Sequence, residues 1–149
     1  VHGGETPPPI LYHQIHHRHG WVESWKIPEN SEEQLKPYAT LFDNNPVNQA
    51  RVDALMQQIR RWTKSGITVV AFRPPSTTAM EELENVKSGF NEISIQQAVE
   101  TNGGIWLNFK SSQFTSYDGS HLDRQSAKRF SRALGQEIRH LSKPVYRNQ

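Results

Sequence analysis

The stretch Gly66-Ile67-Thr68-Val69-Val70-Ala71-Phe72-Arg73-Pro74-Pro75 decides the fold. Six residues rich in β-branched and aromatic side chains stand between a glycine and a proline pair, which is how a strand buried on both faces reads. Before it, Asn45 has the chemistry of a helix cap and Pro46 suits a first helical turn, while Val52, Leu55, Met56, Ile59 and Trp62 recur every three or four residues. This predicts an amphipathic helix from Pro46 to about Lys64 that stops at Gly66. After it, a helical region runs from about Ser76 to Glu100 with a break near Ser88-Gly89, and Phe90, Ile93, Ala98 and Val99 are its expected buried positions. Asn102-Gly103-Gly104 ends that region, Ile105-Trp106-Leu107-Asn108-Phe109 reads as a second strand, and Asp123 caps a last helix with Ala127, Phe130, Leu134 and Ile138 on one face. Helix, strand, helix, strand, helix implies two parallel strands joined by a right-handed crossover. A parallel sheet is covered on both faces, so the reading is an α/β domain whose sheet is incomplete within this chain.

Upstream of Asn45 the pattern is weaker. Residues 1–45 read as a Pro-, Gly- and His-rich irregular segment with one short strand and a short helix near Ser31-Glu32-Glu33-Gln34, limited by Pro37; residues 46–149 hold the α/β part. Val1-His2-Gly3-Gly4 is neither a signal peptide nor an initiator methionine, so the gene is expected to begin further upstream.

Composition excludes several classes. Lys and Arg number 17 against 15 Asp and Glu, a formal charge of +2, and no basic block is long enough to track a nucleic-acid backbone. The chain has no cysteine, which removes disulfides, thiolate catalysis and zinc–thiolate sites. His13, His16, His17 and His19 fall within seven residues, but no acidic or cysteine partner stands at metal-ligand spacing and prolines and Gly20 flank them, so they are read as a polar segment and no metal is assigned. Trp62 and Trp106 are expected on core faces, which leaves Trp21 and Trp25 as the aromatic rings available to a sugar.

Ligands of open parallel sheets collect beyond the carboxyl ends of the strands. Two segments qualify: Arg73-Pro74-Pro75-Ser76, and the loop ending in Ser116-Tyr117-Asp118-Gly119-Ser120-His121-Leu122. In the second, a carboxylate precedes an imidazole by three residues. A histidine acting as general base must be held in one tautomer, and a carboxylate accepting its Nδ1 hydrogen does that and stabilises the imidazolium. Asp118 would orient and His121 would move the proton. The competing reading is that Asp-Gly-Ser before a helix is ordinary turn and cap chemistry.

Ile67 to Pro75, Ile105 to Phe109, and Tyr117-Asp118-Gly119-Ser120-His121-Leu122 followed by Ser126-Ala127 and Phe130 together resemble the carboxy-terminal half of SGNH/GDSL-type serine hydrolases, over about residues 46–140. The resemblance implies a flavodoxin-like three-layer α/β/α sandwich, with Asp118 and His121 as the last catalytic block. It implies ester chemistry, by hydrolysis or acyl transfer, on an acyl group carried by a carbohydrate or lipid, with no cofactor. The likeness is greatest to bacterial relatives that modify cell-surface polymers and often carry a membrane-anchoring segment upstream. The chain departs from the family in lacking a Gly-Asp-Ser block, the oxyanion-hole glycine and a Gly-x-Asn-Asp block; Asp43-Asn44-Asn45 is a poor match for the last of these. The nucleophile is therefore expected in an amino-terminal half outside this chain. The alternative is a non-catalytic α/β domain that binds a surface polymer.

Overall fold

A computed structural model describes Pro9 and residues 11–141; Val1-His2-Gly3-Gly4 and most of the proline-rich start, with residues 142–149, lie outside the described residues. Among the described residues the fold is mixed α/β, with five α-helices and two small sheets. The parallel pair expected from the sequence is present: β3 (Val70–Phe72) lies beside β4 (Ile105–Leu107), with Val70 opposite Ile105 and Phe72 opposite Leu107. Both strands are shorter than expected. Ile67 is exposed and its N–H donates to Trp62 O at 3.0 Å, so the first residues of the β-branched run close the preceding helix instead of joining the ladder.

That helix, α2 (Gln49–Lys64), starts three residues later than Asn45-Pro46 suggested. Asn48 Oδ1 accepts from Arg51 N at 3.1 Å and is the actual cap. Asn45 instead donates its side-chain amide to Leu41 O at 2.8 Å, and Val47 N–H is drawn to Ser88 O at 2.8 Å, which holds the intervening chain extended. The expected break between the next two helices is where it was placed. α3 (Thr78–Ser88) ends on Gly89 at φ +73°, a left-handed position that glycine takes without strain, and Asn91 caps α4 (Glu92–Thr101).

The two faces of the parallel pair are covered by different helices. Val69, Ala71 and Trp106 pack with Met56 and Ile59 of α2 and with Ile95, Ala98 and Val99 of α4. On the other side Phe72 and Phe109 meet Phe130 of α5 (Arg124–Leu141) at 5.6 and 5.0 Å between ring centroids, and Phe114 completes the cluster at 5.7 Å. Met56, Ile59 and Val99 are the buried side chains of the first cluster, each contributing roughly 1.5–3 kcal/mol, whereas the four phenylalanines are only partly buried. Several expected core positions are instead open: Leu55 and Trp62 of α2, Ile93 of α4 and Ile138 of α5 are all more than two-fifths exposed. Leu55 and Trp62 line an apolar groove of about 580 Å³ with Val70, Phe72, Tyr38 and Phe42, alongside β3, whose one paired edge belongs to β4. Trp106 is half-buried, and its indole Nε1 is buried without a hydrogen-bond partner.

The amino-terminal segment is more regular than its composition suggested. β1 (Leu11–His16) and β2 (Val22–Ile27) form an antiparallel hairpin in which His13 faces Trp25 across the ladder, and α1 (Leu35–Asp43) follows. Alternating cross-strand pairs stabilise such a hairpin despite its polar composition. The hairpin is fastened to α5 through Glu23, which is 3% exposed and receives Arg124 Nε at 2.6 Å and His17 Nε2 at 3.2 Å.

Candidate active site

The loop from Ser116 to Leu122 leaves the carboxyl end of the parallel pair by way of a single 3₁₀ turn (Ser111–Gln113) and returns on itself through an antiparallel bridge between Ser116 and Leu122. Ser116 closes the base of this return. Its hydroxyl donates to His121 O at 2.5 Å and accepts from Gly119 N at 2.8 Å, and it is buried. Gly119 sits at φ +97°, and a Cβ placed there would stand 2.3 Å from Ser31 O, so the turn requires glycine on both conformational and steric grounds. Beyond the loop, Asp123 Oδ1 accepts from Ser126 N at 2.8 Å, which makes Asp123 the cap of α5 as its sequence position implied. The side-chain hydroxyl of Ser126, fully buried, accepts from Thr115 N at 2.8 Å.

Three other elements hold the backbone of the loop in place. Asn30 N donates to Tyr117 O at 2.9 Å, Gln34 N to Asp118 O at 3.1 Å, and Thr77 N and its hydroxyl to Gly119 O at 3.3 and 3.1 Å. Tyr117, 1% exposed, hydrogen-bonds Ser24 of the hairpin through its hydroxyl at 3.0 Å.

Asp118 and His121, the two residues the sequence singled out, are brought together. Asp118 Oδ2 is 2.8 Å from His121 Nδ1. Its other oxygen, Oδ1, accepts from the backbone N–H groups of Ser120 and His121 at 2.9 and 2.8 Å and from the Ser120 hydroxyl at 3.2 Å. One carboxylate thus makes both sets of contacts: Oδ1 accepts the N–H groups of the turn and Oδ2 meets the imidazole. Burial pushes the Asp118 carboxyl up, but the bonds from the His121 N–H, the His121 ring and the Ser120 N–H outweigh it and hold the group below its ordinary range. An ionised carboxylate can only accept, so His121 meets it with Nδ1 protonated. That leaves a lone pair on Nε2 of the neutral ring. No side chain among the described residues is hydrogen-bonded to Nε2, and the imidazole is 60% exposed against 7% for the Asp118 side chain. Tyr117 stacks on the ring at 5.8 Å between centroids and 10° between planes. Burial drives the Tyr117 phenol up to about 12, against the opposing pull of its Ser24 bond.

The two serines nearest this machinery are placed for other tasks. Ser120 Oγ is 2.9 Å from His121 Nδ1, on the nitrogen already held by Asp118, and so is not presented to Nε2. Ser76 lies at the border of the apolar groove, its hydroxyl donating to Thr77 O at 3.4 Å. Arg73, at the end of β3, is spent on structure: it reaches Glu92 at 3.2 Å, pairs with Glu84, donates to Glu81 O and lies over the Phe90 ring at 4.8 Å. The histidine segment folds as part of the hairpin, so His13 and His17, or His16 and His19, are not set one turn apart on a helical face where they could share a metal ion. His13 stacks on Trp25 at 5.1 Å and His17 on Trp21 at 4.5 Å, so each of the two tryptophans has one face occupied by an imidazole. Among the described residues no group of three or more His, Asp or Glu side chains is arranged to hold a metal ion.

Sequence reasoning missed the surroundings of the pair. Ser24, Lys26 and Glu33 come from the segment read as irregular, yet they reach Tyr117 and the cavity beside His121. Ser116 and Ser120 carried a signal, since small hydroxyl residues two positions either side of an aspartate are typical of side-chain-stabilised turns. No protein-family model, curated protein or solved structure matches the chain.

Proposed function

We propose that this chain carries the acid–base arm of an SGNH-type serine hydrolase or acyltransferase, acting on an ester whose acyl group sits on a carbohydrate or lipid. The observation that carries the proposal is the 2.8 Å contact between a buried Asp118 and an exposed His121 whose Nε2 is unengaged. A general base needs one nitrogen fixed and the other free to meet the proton it takes, and this pair supplies both. In the proposed reaction Nε2 takes the proton of a serine hydroxyl as its oxygen bonds to the ester carbonyl carbon. It returns that proton to the departing alkoxide as the C–O bond breaks, leaving an acyl-serine. Water or an acceptor hydroxyl then attacks the acyl-serine by the same steps in reverse, with His121 again taking and returning the proton. Asp118 stays ionised throughout and stabilises the imidazolium. No cofactor enters these steps.

The serine and the oxyanion donors belong, in this proposal, to an amino-terminal half outside this chain, with a membrane tether upstream of it. Two features support a sheet that continues beyond this pair. The parallel pair has helices on both faces, in keeping with a flavodoxin-like three-layer sandwich whose further strands add beyond β3, and the groove beside β3 is apolar, as the cover of a continuing sheet requires. A second reading, a non-catalytic polymer-binding α/β domain, is favoured by the bonds from Asp118 Oδ1 to two backbone N–H groups, which would exist for the turn alone.

Ester hydrolysis by three samples separates the two. With p-nitrophenyl acetate, this chain should be silent, a longer protein containing an upstream Gly-Asp-Ser segment should turn over, and His121→Ala in the longer protein should lower kcat by about 10⁴-fold with the fold intact. Activity in this chain alone, or an unaffected variant, refutes the assignment.

A further inference from the structure

Asp118 and His121 line a cavity of about 330 Å³ whose other walls take no part in the proton transfer. Those walls are Tyr12 of β1, Lys26 of β2, Glu33, Gln34, Tyr38 of α1 and Tyr117. We infer that this cavity is a subsite for a neutral polyhydroxylated ring, a sugar, placed with one hydroxyl against His121. The identification of that hydroxyl as the alcohol side of the scissile ester rests on the hydrolase reading above; the binding of the ring does not.

The charge pattern excludes the obvious rival. A buried lysine in a pocket ordinarily recruits an anion, but the Lys26 ammonium is paired with Glu33, and the Asp118 carboxylate is matched by the N–H groups and ring of its own loop. The cavity therefore presents no uncompensated charge to an anion. What it does present is an ammonium with three donors and a carboxylate with two acceptor oxygens, side by side and only partly used by each other. A pair of adjacent hydroxyls, each donor and acceptor at once, complements that arrangement, and a phosphate or carboxylate does not. Tyr12 and Tyr38 add apolar ring surface with polar tips, the kind of surface that accepts one C–H face of a sugar while its hydroxyls stay hydrogen-bonded. The volume lies at the small end of ligand sites, which run from roughly 300 to 1,000 Å³, and so takes one ring. Trp21 and Trp25, the rings the sequence offered for this purpose, do not line the cavity.

The test is a binding titration on this chain, followed by backbone amide shifts, with the methyl glycosides of glucose, galactose, mannose and N-acetylglucosamine and, separately, inorganic phosphate. At least one glycoside should saturate in the millimolar range and move the amides of Tyr12, Lys26, Tyr38 and His121, and phosphate should not. Lys26→Met and Tyr38→Ala should each weaken that binding at least fivefold. Tyr38 is only half-buried on α1, so its variant decides the matter if the lysine variant fails to fold. Failure of all four glycosides, saturable binding of phosphate in their place, or glycoside affinity unchanged in the folded variants overturns the subsite. Turnover of p-nitrophenyl acetate by the longer protein without glycoside binding would keep the hydrolase and remove the subsite. Glycoside binding without His121-dependent ester cleavage would do the reverse.

Discussion

Replacing Asp118 by Asn separates the two tasks of that side chain, because the amide keeps one acceptor oxygen and converts the other into a donor. The retained oxygen still accepts the N–H groups of Ser120 and His121, so the turn survives. At the Oδ2 position the amide N–H faces His121 Nδ1, and the bond now forms only if Nδ1 is the acceptor, with the ring proton on Nε2. A hydrogen bond to a charged group is worth about 1.5–3 kcal/mol; with the imidazole 60% exposed the low end applies, about 1.5 kcal/mol, or roughly a tenfold preference for the Nδ1–H tautomer. The preference should vanish or invert in Asp118→Asn, with Ser120 Oγ, also on Nδ1, limiting the inversion. Nitrogen-15 shifts of the neutral His121 ring read the tautomer directly. Urea unfolding of the same variant should show a loss of about 1–2 kcal/mol at pH 7. The pH dependence has a definite sign. Asp118 is held below its ordinary range in the folded state, so its contribution is present above the unfolded value of about 4 and disappears as pH falls through the lower folded value. The gap between wild type and variant should therefore close in acid. A wild-type ring protonated at Nε2, or a variant with unchanged tautomer and a stability gap that widens below pH 4, would refute the account of how Asp118 holds His121.

Gly119→Ala should destabilise the chain by at least about 2 kcal/mol, since it combines a left-handed backbone with a Cβ 2.3 Å from Ser31 O, and thermal unfolding will measure it. The Tyr117 phenol, raised to about 12, resists ionisation in the folded state; its contribution is complete below the unfolded value of about 10 and is lost as pH rises from 10 toward 12. Tyr117→Phe should therefore flatten the alkaline limb of the urea midpoint above pH 10, and an unchanged limb would show that another group controls it.

How much of this was legible in the sequence depends on how local each signal was. The parallel pair and the helices around it follow from periodicity and from the glycine and proline punctuation at Gly66, Pro74-Pro75 and Gly103-Gly104, and Asp123 was readable as a cap from its position alone. Asp118 and His121 were legible because three residues separate them and their geometry is made within one turn. The start of α2 was misplaced because Asn45 and Asn48 are equally good caps, and the choice is made by Val47 reaching Ser88, forty-one residues away in sequence. The hairpin was hidden because its strands are stabilised by imidazole–indole stacking and by a buried Glu23 pairing with Arg124, not by an alternating apolar face. The open positions of Leu55 and Trp62 reflect a helix stripe wider than the part of the sheet it covers, which periodicity does not report.

The three carbonyls of Tyr117, Asp118 and Gly119 are each taken by an amide from a different stretch of chain: Asn30, Gln34 and Thr77. A surface loop fastened in this way has no private opening motion. To swing it out, the turn after the hairpin, the approach to α1 and the cap of α3 must all let go together, so its fluctuations belong to a cooperative unit far larger than the loop. In the proposed reaction the imidazole would meet its reactant with its position already fixed, the entropy of ordering it having been lost when the chain folded and not at the moment of binding. Amide exchange at Asn30, Gln34 and Thr77 is the natural gauge of this, because those three hydrogens are released only when the loop as a whole is.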